Sequence, residues 1–181
     1  MDAHAIPFKE ESLDNIVLFD VLHHLAAPAV FFRELERVLR PKGRAILMEP
    51  YVSRMSFPVY RFLHAEGMKW DTDPLLDQPF ERKGPFEGNQ AVPTLIFQKQ
   101  RQRFLDAFPK LNIIREQTMD ILLYPLSGGF HNPSLCPRML WGVFGSAEDL
   151  LNPLSDYLAL RLFLVLEKSP TLSHGGAQPD R

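Results

Sequence analysis

The sequence predicts an α/β domain with a partly parallel sheet. Short apolar runs alternate with a segment of helical spacing, and the connections between them are short. The chain has 181 residues, of which 45% are hydrophobic, so it can form one globular domain with a sizeable core. The same composition argues against a disordered or fibrous protein.

The first half of the chain reads as strand, helix and strand. An apolar run at 15–19 follows a charged turn and suits a strand covered on both faces. Apolar residues recur at helical spacing between 28 and 39, after a proline that a first helical turn tolerates. The triplet Pro41-Lys42-Gly43 is expected to end this helix, and 44–48 forms a second buried strand. Strands joined by such a crossover are parallel.

The middle of the chain is irregular. Six prolines interrupt the pattern between 49 and 93, and only 56–66 reads as a helix. A long irregular stretch inside a compact domain is more often a lid or binding loop than a plain connection. We therefore predict a lid-like insertion at 49–93.

The remainder adds a helix and two strands. Thr94 is placed to cap a helix that Pro109 ends, and the run at 111–116 continues as a strand. A short helical stretch at 147–151 precedes a last apolar strand at 160–167.

The predicted domain covers 1–168 and includes the lid-like insertion. Residues 169–181 contain two prolines, two glycines and no apolar period, which predicts a disordered tail.

Charge and cysteine content limit the partners and the compartment. A net charge of -2 gives no reason to expect nucleic acid or an anionic membrane as a partner. Cys136 is the single cysteine, and the first residues do not resemble a secretory signal, so a reducing, cytoplasmic compartment is expected. The longest apolar stretches are too short or too interrupted by charge to cross a bilayer.

Four motifs occur in order within the first fifty residues. They are Asp-Ala-His-Ala-Ile-Pro-Phe at 2–8, Leu-Asp-Asn-Ile-Val at 13–17, Val-Leu-His-His-Leu at 21–25 and Val-Leu-Arg-Pro-Lys-Gly-Arg at 38–44. In this order and at this spacing they resemble class I S-adenosylmethionine-dependent methyltransferases that act on small molecules. The resemblance implies a Rossmann-like methyltransferase sheet, S-adenosyl-L-methionine as the cofactor and a small-molecule acceptor.

The resemblance also implies which residues line the cofactor. In the family, an Asp-Ala pair contacts the adenine, and Asp2 and Ala3 match that pair. The segment after the following strand lines the cofactor near the transferred methyl group. Phe19, Asp20 and His24 match this segment.

The match begins part-way through the family pattern. The family's first strand, its Gly-x-Gly-x-Gly-like turn and the acidic residue that binds the ribose precede the Asp-Ala pair, and the sequence contains no such turn. We therefore expect a sheet that lacks its first three strands, with a C-terminal half of mostly parallel strands. Such a chain would lack full cofactor-binding capacity, and the strand at 15–19 would be an open edge.

His23 and His24 are the candidate catalytic residues. They follow a strand end, where a base that takes the acceptor's proton would lie. The alternative is that they shape the turn or pack on the cofactor. Glu49 follows the second strand and is expected to be an exposed carboxylate. These side chains and Asp20 lack a recognised ligand spacing, so no metal site is expected.

Two functions remain open at this point. The first is methyl transfer from S-adenosylmethionine to a small-molecule acceptor. The second is a non-catalytic short homologue that pairs its open strand edge with another protein or with itself. A nicotinamide-dependent oxidoreductase has a similar sheet, but the motifs at 21–25 and 38–44 argue against it.

Overall fold

The computed structural model describes residues 2–62, 64, 66–76, 84, 87–128 and 133–170. The disordered tail predicted at 169–181 lies outside the described residues apart from its first two positions.

The described chain contains four strands and seven α-helices. The strands are β1 (Leu13–Phe19), β2 (Leu39–Pro50), β3 (Leu111–Met119) and β4 (Arg161–Lys168). The helices are α1 (Pro28–Val38), α2 (Ser56–Phe62), α3 (Val92–Thr94), α4 (Arg101–Ala107), α5 (Leu123–Ser127), α6 (Trp141–Leu151) and α7 (Ser155–Leu158). A π-helical turn, Leu95–Lys99, joins α3 to α4, and a 3₁₀ turn, Leu22–His24, follows β1.

The four strands form one sheet in the order β1-β2-β4-β3. β1 and β2 are parallel, whereas β4 lies antiparallel between β2 and β3. β1, β2 and β3 therefore run in one direction and β4 runs in the other. The predicted α/β class and mostly parallel sheet are confirmed, but the reversed insertion of β4 was not predicted.

The β1-α1-β2 unit has the predicted order but a tighter junction. α1 ends at Val38, and the Pro-Lys-Gly triplet lies inside β2 instead of separating the two elements. Lys42 has a φ of 64° there. A Cβ on Gly43 would lie 2.8 Å from the Arg40 carbonyl oxygen and 3.0 Å from that of Leu13. Glycine is therefore required at position 43, where the backbone of β2 lies close to the first residue of β1.

An aromatic cluster fills the core between α1 and α4. The Phe32 ring lies 4.9 Å from Phe104, 5.2 Å from Phe108 and 6.1 Å from Phe97, measured between ring centroids. These four side chains are buried, and they pack in the tilted and edge-to-face arrangements that aromatic rings prefer. The cluster fixes the helical run that begins at Val92 against the β1-α1-β2 unit.

Two local predictions after β2 are wrong. Thr94 is not a helix cap, because the run already begins at Val92 and the Thr94 hydroxyl accepts the Val52 N–H at 2.9 Å. The helix predicted at 56–66 ends at Phe62. In the described part of the chain, no helix is both long and apolar enough to cross a membrane.

Candidate functional site

Charged side chains meet at the end of the sheet where β1 and β2 finish and β4 begins. Asp20 follows β1, Glu49 is the penultimate residue of β2, and Arg161 is the first residue of β4. In sheets of this kind, ligands bind outside the carboxyl ends of the parallel strands. This end of the sheet is therefore the place to look for a site.

Glu49 is fully buried beneath the turn that follows β1. Its Oε1 accepts the backbone N–H groups of Val21 at 2.9 Å and Leu22 at 2.8 Å. Its Oε2 lies 2.8 Å from His23 Nδ1, which donates to it. The expectation of an exposed strand-end carboxylate is wrong, because these N–H groups have Glu49 as their partner in place of water.

His23 and His24 meet a second carboxylate from the irregular segment. Glu66 Oε2 lies 3.4 Å from His23 Nε2, and Glu66 Oε1 lies 3.4 Å from His24 Nε2. The two rings are 4.2 Å apart between centroids. Burial, and then the neighbouring His23, lower the pKa of His24. The neutral imidazole is therefore favoured at this position.

Backbone and amide contacts hold Glu66 against the histidines. Asn89 donates its N–H to the His23 carbonyl at 2.9 Å, and the Gln90 Nε2 donates to Glu66 Oε2 at 2.5 Å. A Cβ on Gly88 would lie 2.5 Å from Glu66 Oε2, so a larger residue there would displace this carboxylate from its position beside the histidines. The predicted lid-like insertion thus supplies one wall of the site through its described residues.

A buried ion pair borders the histidines on the other side. Arg161 is 2% exposed, and its Nη1 donates to Asp20 Oδ2 at 3.0 Å. The guanidinium carbon lies over the rings of Phe19 at 4.9 Å and Tyr124 at 5.1 Å. Burial alone would lower the pKa of Arg161, but the charge and hydrogen bond of Asp20 outweigh it and raise the pKa. The arginine therefore stays charged in its buried position.

The two clusters border one cavity of about 650 Å³. Its polar lining includes His24, Glu66, Gln90 and Arg161, and its apolar lining includes Leu135 and Leu160. Cavities of this size and mixed character hold small molecules. A second groove, about 680 Å³ and lined mainly by polar side chains of β3 and of the segment 149–156, contains none of the predicted site residues.

The Asp2–Ala3 pair lies beside the start of α1. Asp2 Oδ1 accepts the backbone N–H of His4 and its Nδ1–H, both at 2.9 Å. His4 Nε2 in turn accepts the Ala27 N–H at 3.2 Å. The predicted adenine pair is thereby fixed to the residue that precedes α1, three positions after His24.

The structure places Phe19 at the end of β1, and Asp20, His23 and His24, which follow it, line the cavity. It also adds site residues that the sequence did not indicate, above all Glu66 and Arg161. The one sequence signal for Arg161 is a charged residue at the start of an apolar strand. Glu66 gives no signal, because its role depends on how the irregular segment folds back.

The N-terminal part of the chain is similar to known proteins. Residues 1–47 match the family model of a methyltransferase domain. An uncharacterised 37.1 kDa protein in transposon TN4556 of Streptomyces fradiae is 43% identical over 49 residues, which is 27% of this chain and 14% of that protein.

Solved structures of methyltransferases share the fold. A geranyl diphosphate methyltransferase in complex with SAM superposes with a TM-score of 0.50 and 10% identity, over 93% of this chain and 56% of that one. A SAM-dependent methyltransferase from Methanosarcina mazei gives a TM-score of 0.45 and 16% identity, over 94% of this chain and 66% of that one. This chain therefore spans little more than half the length of the geranyl diphosphate methyltransferase.

Residues 1–47 thus match a methyltransferase domain, and the described fold is similar to that of a solved methyltransferase. The resemblance drawn from the four N-terminal motifs is confirmed.

Removing the Glu49 carboxylate should destabilise the fold strongly. Glu49→Ala leaves the N–H groups of Val21 and Leu22 buried without a partner, and each such group costs about 1–3 kcal/mol. We expect the free energy of unfolding to fall by about 3 kcal/mol or more in urea titrations. Asp14→Ala removes the exposed pair with Arg40 and should cost less than about 1 kcal/mol. Equal stabilities for the two variants would contradict the role given to Glu49.

The turn after β3 has the same conformation and the same kind of hydrogen bonds as the turn after β1. Asp20 and Asp120 both follow a strand and have φ values of 54° and 64°. Glu148 accepts the N–H groups of Ile121 and Leu123, each at 2.8 Å, as Glu49 does after β1. Burial, and then the charge of Glu148, raise the pKa of Asp120.

This raised pKa predicts a pH-dependent effect of Asp120→Asn. The folded state favours the protonated carboxyl, so wild-type stability falls as pH rises from the ordinary aspartate pKa of about 4 through the raised folded value. Asparagine tolerates a positive φ and carries no charge. Denaturant titrations should therefore show the variant to be more stable than wild type at pH 7, with the difference shrinking toward pH 4. A difference that does not change with pH would contradict the assignment.

Proposed function

We propose that the protein transfers the methyl group of S-adenosylmethionine to a small-molecule acceptor. The observation that carries the proposal is the cavity at the ends of β1 and β2, next to the segment that matches the methyltransferase domain. Related structures with this fold include a methyltransferase with SAM bound. The acceptor is assigned to the cavity because its volume suits a small molecule.

The described residues fit one side of the cofactor. Asp2 and Ala3 are assigned to the adenine, as the family resemblance implies. Phe19 is 52% exposed at the end of β1 and offers an apolar surface backed by the Arg161 guanidinium. Asp20 is paired with that guanidinium, so it positions the surface and does not act as a free carboxylate.

The bound cofactor supplies an electrophilic methyl group on a sulfonium sulfur. The residues of the cavity have to align an acceptor atom in line with that methyl carbon. As the acceptor–carbon bond forms and the carbon–sulfur bond breaks, the electron pair stays on sulfur. An acceptor hydroxyl or thiol also releases a proton, which the cluster of His23, His24 and Glu66 is placed to receive.

The lining of the cavity favours an acceptor that is mostly apolar with one polar end. Pro50, Val59, Leu135 and Leu160 supply the apolar part of the surface. His24 and Glu66 are among the polar residues that line the cavity. Such an acceptor would bury its apolar body and place its reactive atom at the histidines.

Replacement of Phe19 tests this proposal. The experiment uses the longest form of the protein that its gene encodes. Calorimetric titration with S-adenosylhomocysteine should show saturable binding. Phe19→Ala should weaken this binding about tenfold, because the variant loses apolar area that stacks on the ligand. Phe62→Ala is the matched control, because this aromatic side chain is 77% exposed on α2 and should leave binding unchanged.

The chemistry is tested in the same protein. Radiolabelled methyl transfer from S-adenosylmethionine to a panel of hydroxyl-, amine- and thiol-bearing apolar compounds should give an organic-extractable product. If the wild-type protein neither binds the cofactor product nor labels any member of the panel, the proposed function is wrong.

Association through the edge of β1 is the second candidate function. β1 lies at the edge of the described sheet, so one side of its backbone pairs with no other described strand. Two of its apolar side chains, Val17 and Phe19, are 69% and 52% exposed. An edge strand with exposed apolar side chains is a template for pairing with another strand. A second copy of this chain or another protein would then cover it.

A charged side chain on β1 should block such association. Val17→Lys places an ammonium group on the edge strand, which opposes strand pairing. If the edge mediates self-association, light scattering at high protein concentration should show a dimer or larger species for wild type and a monomer for the variant. Val143→Lys on α6 is the control, since Val143 is 64% exposed in a different element. A wild-type protein that stays monomeric would contradict self-association.

A further inference from the structure

We infer that His23, His24 and Glu66 form a binding site for a divalent cation of the zinc type. The three side chains present two imidazole nitrogens and a carboxylate, all within 4.8 Å of one another. The sequence did not predict this site, because Glu66 lies 42 positions after His24 and completes no recognised spacing. The inference reverses the expectation that no metal is bound.

The distances match two ligands of one ion better than a hydrogen bond. Each histidine Nε2 lies 3.4 Å from an oxygen of Glu66, beyond the usual 2.7–3.2 Å of an N–H···O bond. Ligand atoms about 2.0–2.1 Å from a tetrahedral zinc ion lie about 3.3 Å from each other. The observed separations therefore leave the space that such an ion occupies.

The tautomer of His23 points to a cation at its other nitrogen. The Nδ1–H donates to the buried Glu49 at 2.8 Å, which leaves the lone pair of Nε2 directed at Glu66. A lone pair and a carboxylate that face each other repel unless a cation or a proton lies between them. A histidine whose remote N–H donates to a carboxylate is also the usual arrangement at metal centres, because it fixes the ring and raises ligand basicity.

The surroundings hold the carboxylate and leave room for a fourth ligand. Gln90 is 1% exposed; its Nε2 fixes Glu66, while its Oε1 is buried without a hydrogen-bond partner among the described residues. His24 Nδ1 likewise has no such partner. The cavity lies on the open side of the three ligands, so a fourth position can be taken by water or by an acceptor atom.

The ligand set selects the metal. Two imidazoles and one carboxylate suit Zn²⁺ or Co²⁺, whereas Mg²⁺ prefers an octahedron of oxygen ligands. Where the proposed methyl transfer holds, a hydroxyl or thiol of the acceptor takes the open position and loses its proton to solvent, because histidines that bind the metal no longer receive it. The metal site itself does not depend on that reaction.

A proton is the rival occupant of this space. A doubly protonated His23 would donate to Glu49 and to Glu66 at once and would need no metal. The two occupants differ in a direct observable, because only a bound transition metal gives a ligand-field spectrum.

Titration with Co²⁺ decides between them. The purified protein, treated with EDTA and dialysed, should take up one equivalent of Co²⁺ with an intense visible absorption band typical of four-coordinate sites. Zn²⁺ should abolish the band, and excess Mg²⁺ should not. A spectrum that stays that of the aqueous ion, or a band that Zn²⁺ does not displace, would overturn the inference.

Substitutions locate the site. His24→Ala and Glu66→Gln should each weaken Co²⁺ binding at least about tenfold, and Glu49→Gln about 10–100-fold by loss of the partner of His23. His4→Gln is the matched control and should not change the affinity, since His4 contacts Asp2 and Ala27 instead. Unchanged binding in both His24→Ala and Glu66→Gln would place the metal elsewhere and overturn the inference.

The outcomes separate this site from the proposed function. Metal binding is measured without cofactor or acceptor. If the protein binds Co²⁺ at these residues but transfers no methyl group, only the proposed function fails. If it transfers methyl groups without any Co²⁺ spectrum, only the metal site fails. Circular dichroism checks that the variants are folded, and the wild-type spectrum decides the question if they are not.

Discussion

The buried carboxylate of Glu49 is the contact on which the rest of the site depends. It joins the end of β2 to the turn after β1 by accepting backbone N–H groups of Val21 and Leu22. The parallel pairing of β1 and β2 brings the two segments close, and the carboxylate then fixes the turn. Both carboxylate oxygens accept hydrogen bonds, which compensate the desolvation of this buried group. The orientation of His23 follows from the same contact.

The left-handed aspartate before each such turn belongs to the same arrangement. Asp20 and Asp120 reverse the chain at a strand end, which points the next N–H groups inward, where Glu49 and Glu148 receive them. Arg161 lies between the two turns and carries a positive charge beside Asp20. Arg161 thus places a positive charge among the carboxyl groups at this end of the sheet, and the histidines line the same cavity as this ion pair.

The sequence predicted the part of the fold that depends on local pattern. The β1-α1-β2 unit follows from two apolar runs and one helical period, and the positions of Phe19, Asp20, His23 and His24 follow from the end of a strand. The direction of β4 did not follow, because an apolar run has the same pattern in either direction. The burial of Glu49 does not follow from the sequence either, because two of its partners are backbone N–H groups, which residue types do not reveal.

Glu66 shows why the chemistry of the site was harder to predict than its place. The residue lies in a proline-rich segment without periodicity, and its position depends on Gly88, Asn89 and Gln90, which fold back against it from more than twenty positions away. Only the folded chain shows that a carboxylate faces both imidazoles.

The two sides of the site are held by different parts of the fold. His23 is held by the sheet through Glu49, whereas the facing carboxylate of Glu66 lies in a segment whose described residues form no strand of the sheet and is held there by Gln90. Anything that binds between them, whether a proton, a metal ion or an acceptor atom, adds a contact from the rigid sheet to that segment. Binding would therefore stabilise the segment by the free energy of the contact, and the wall of the cavity would be best ordered when the site is filled.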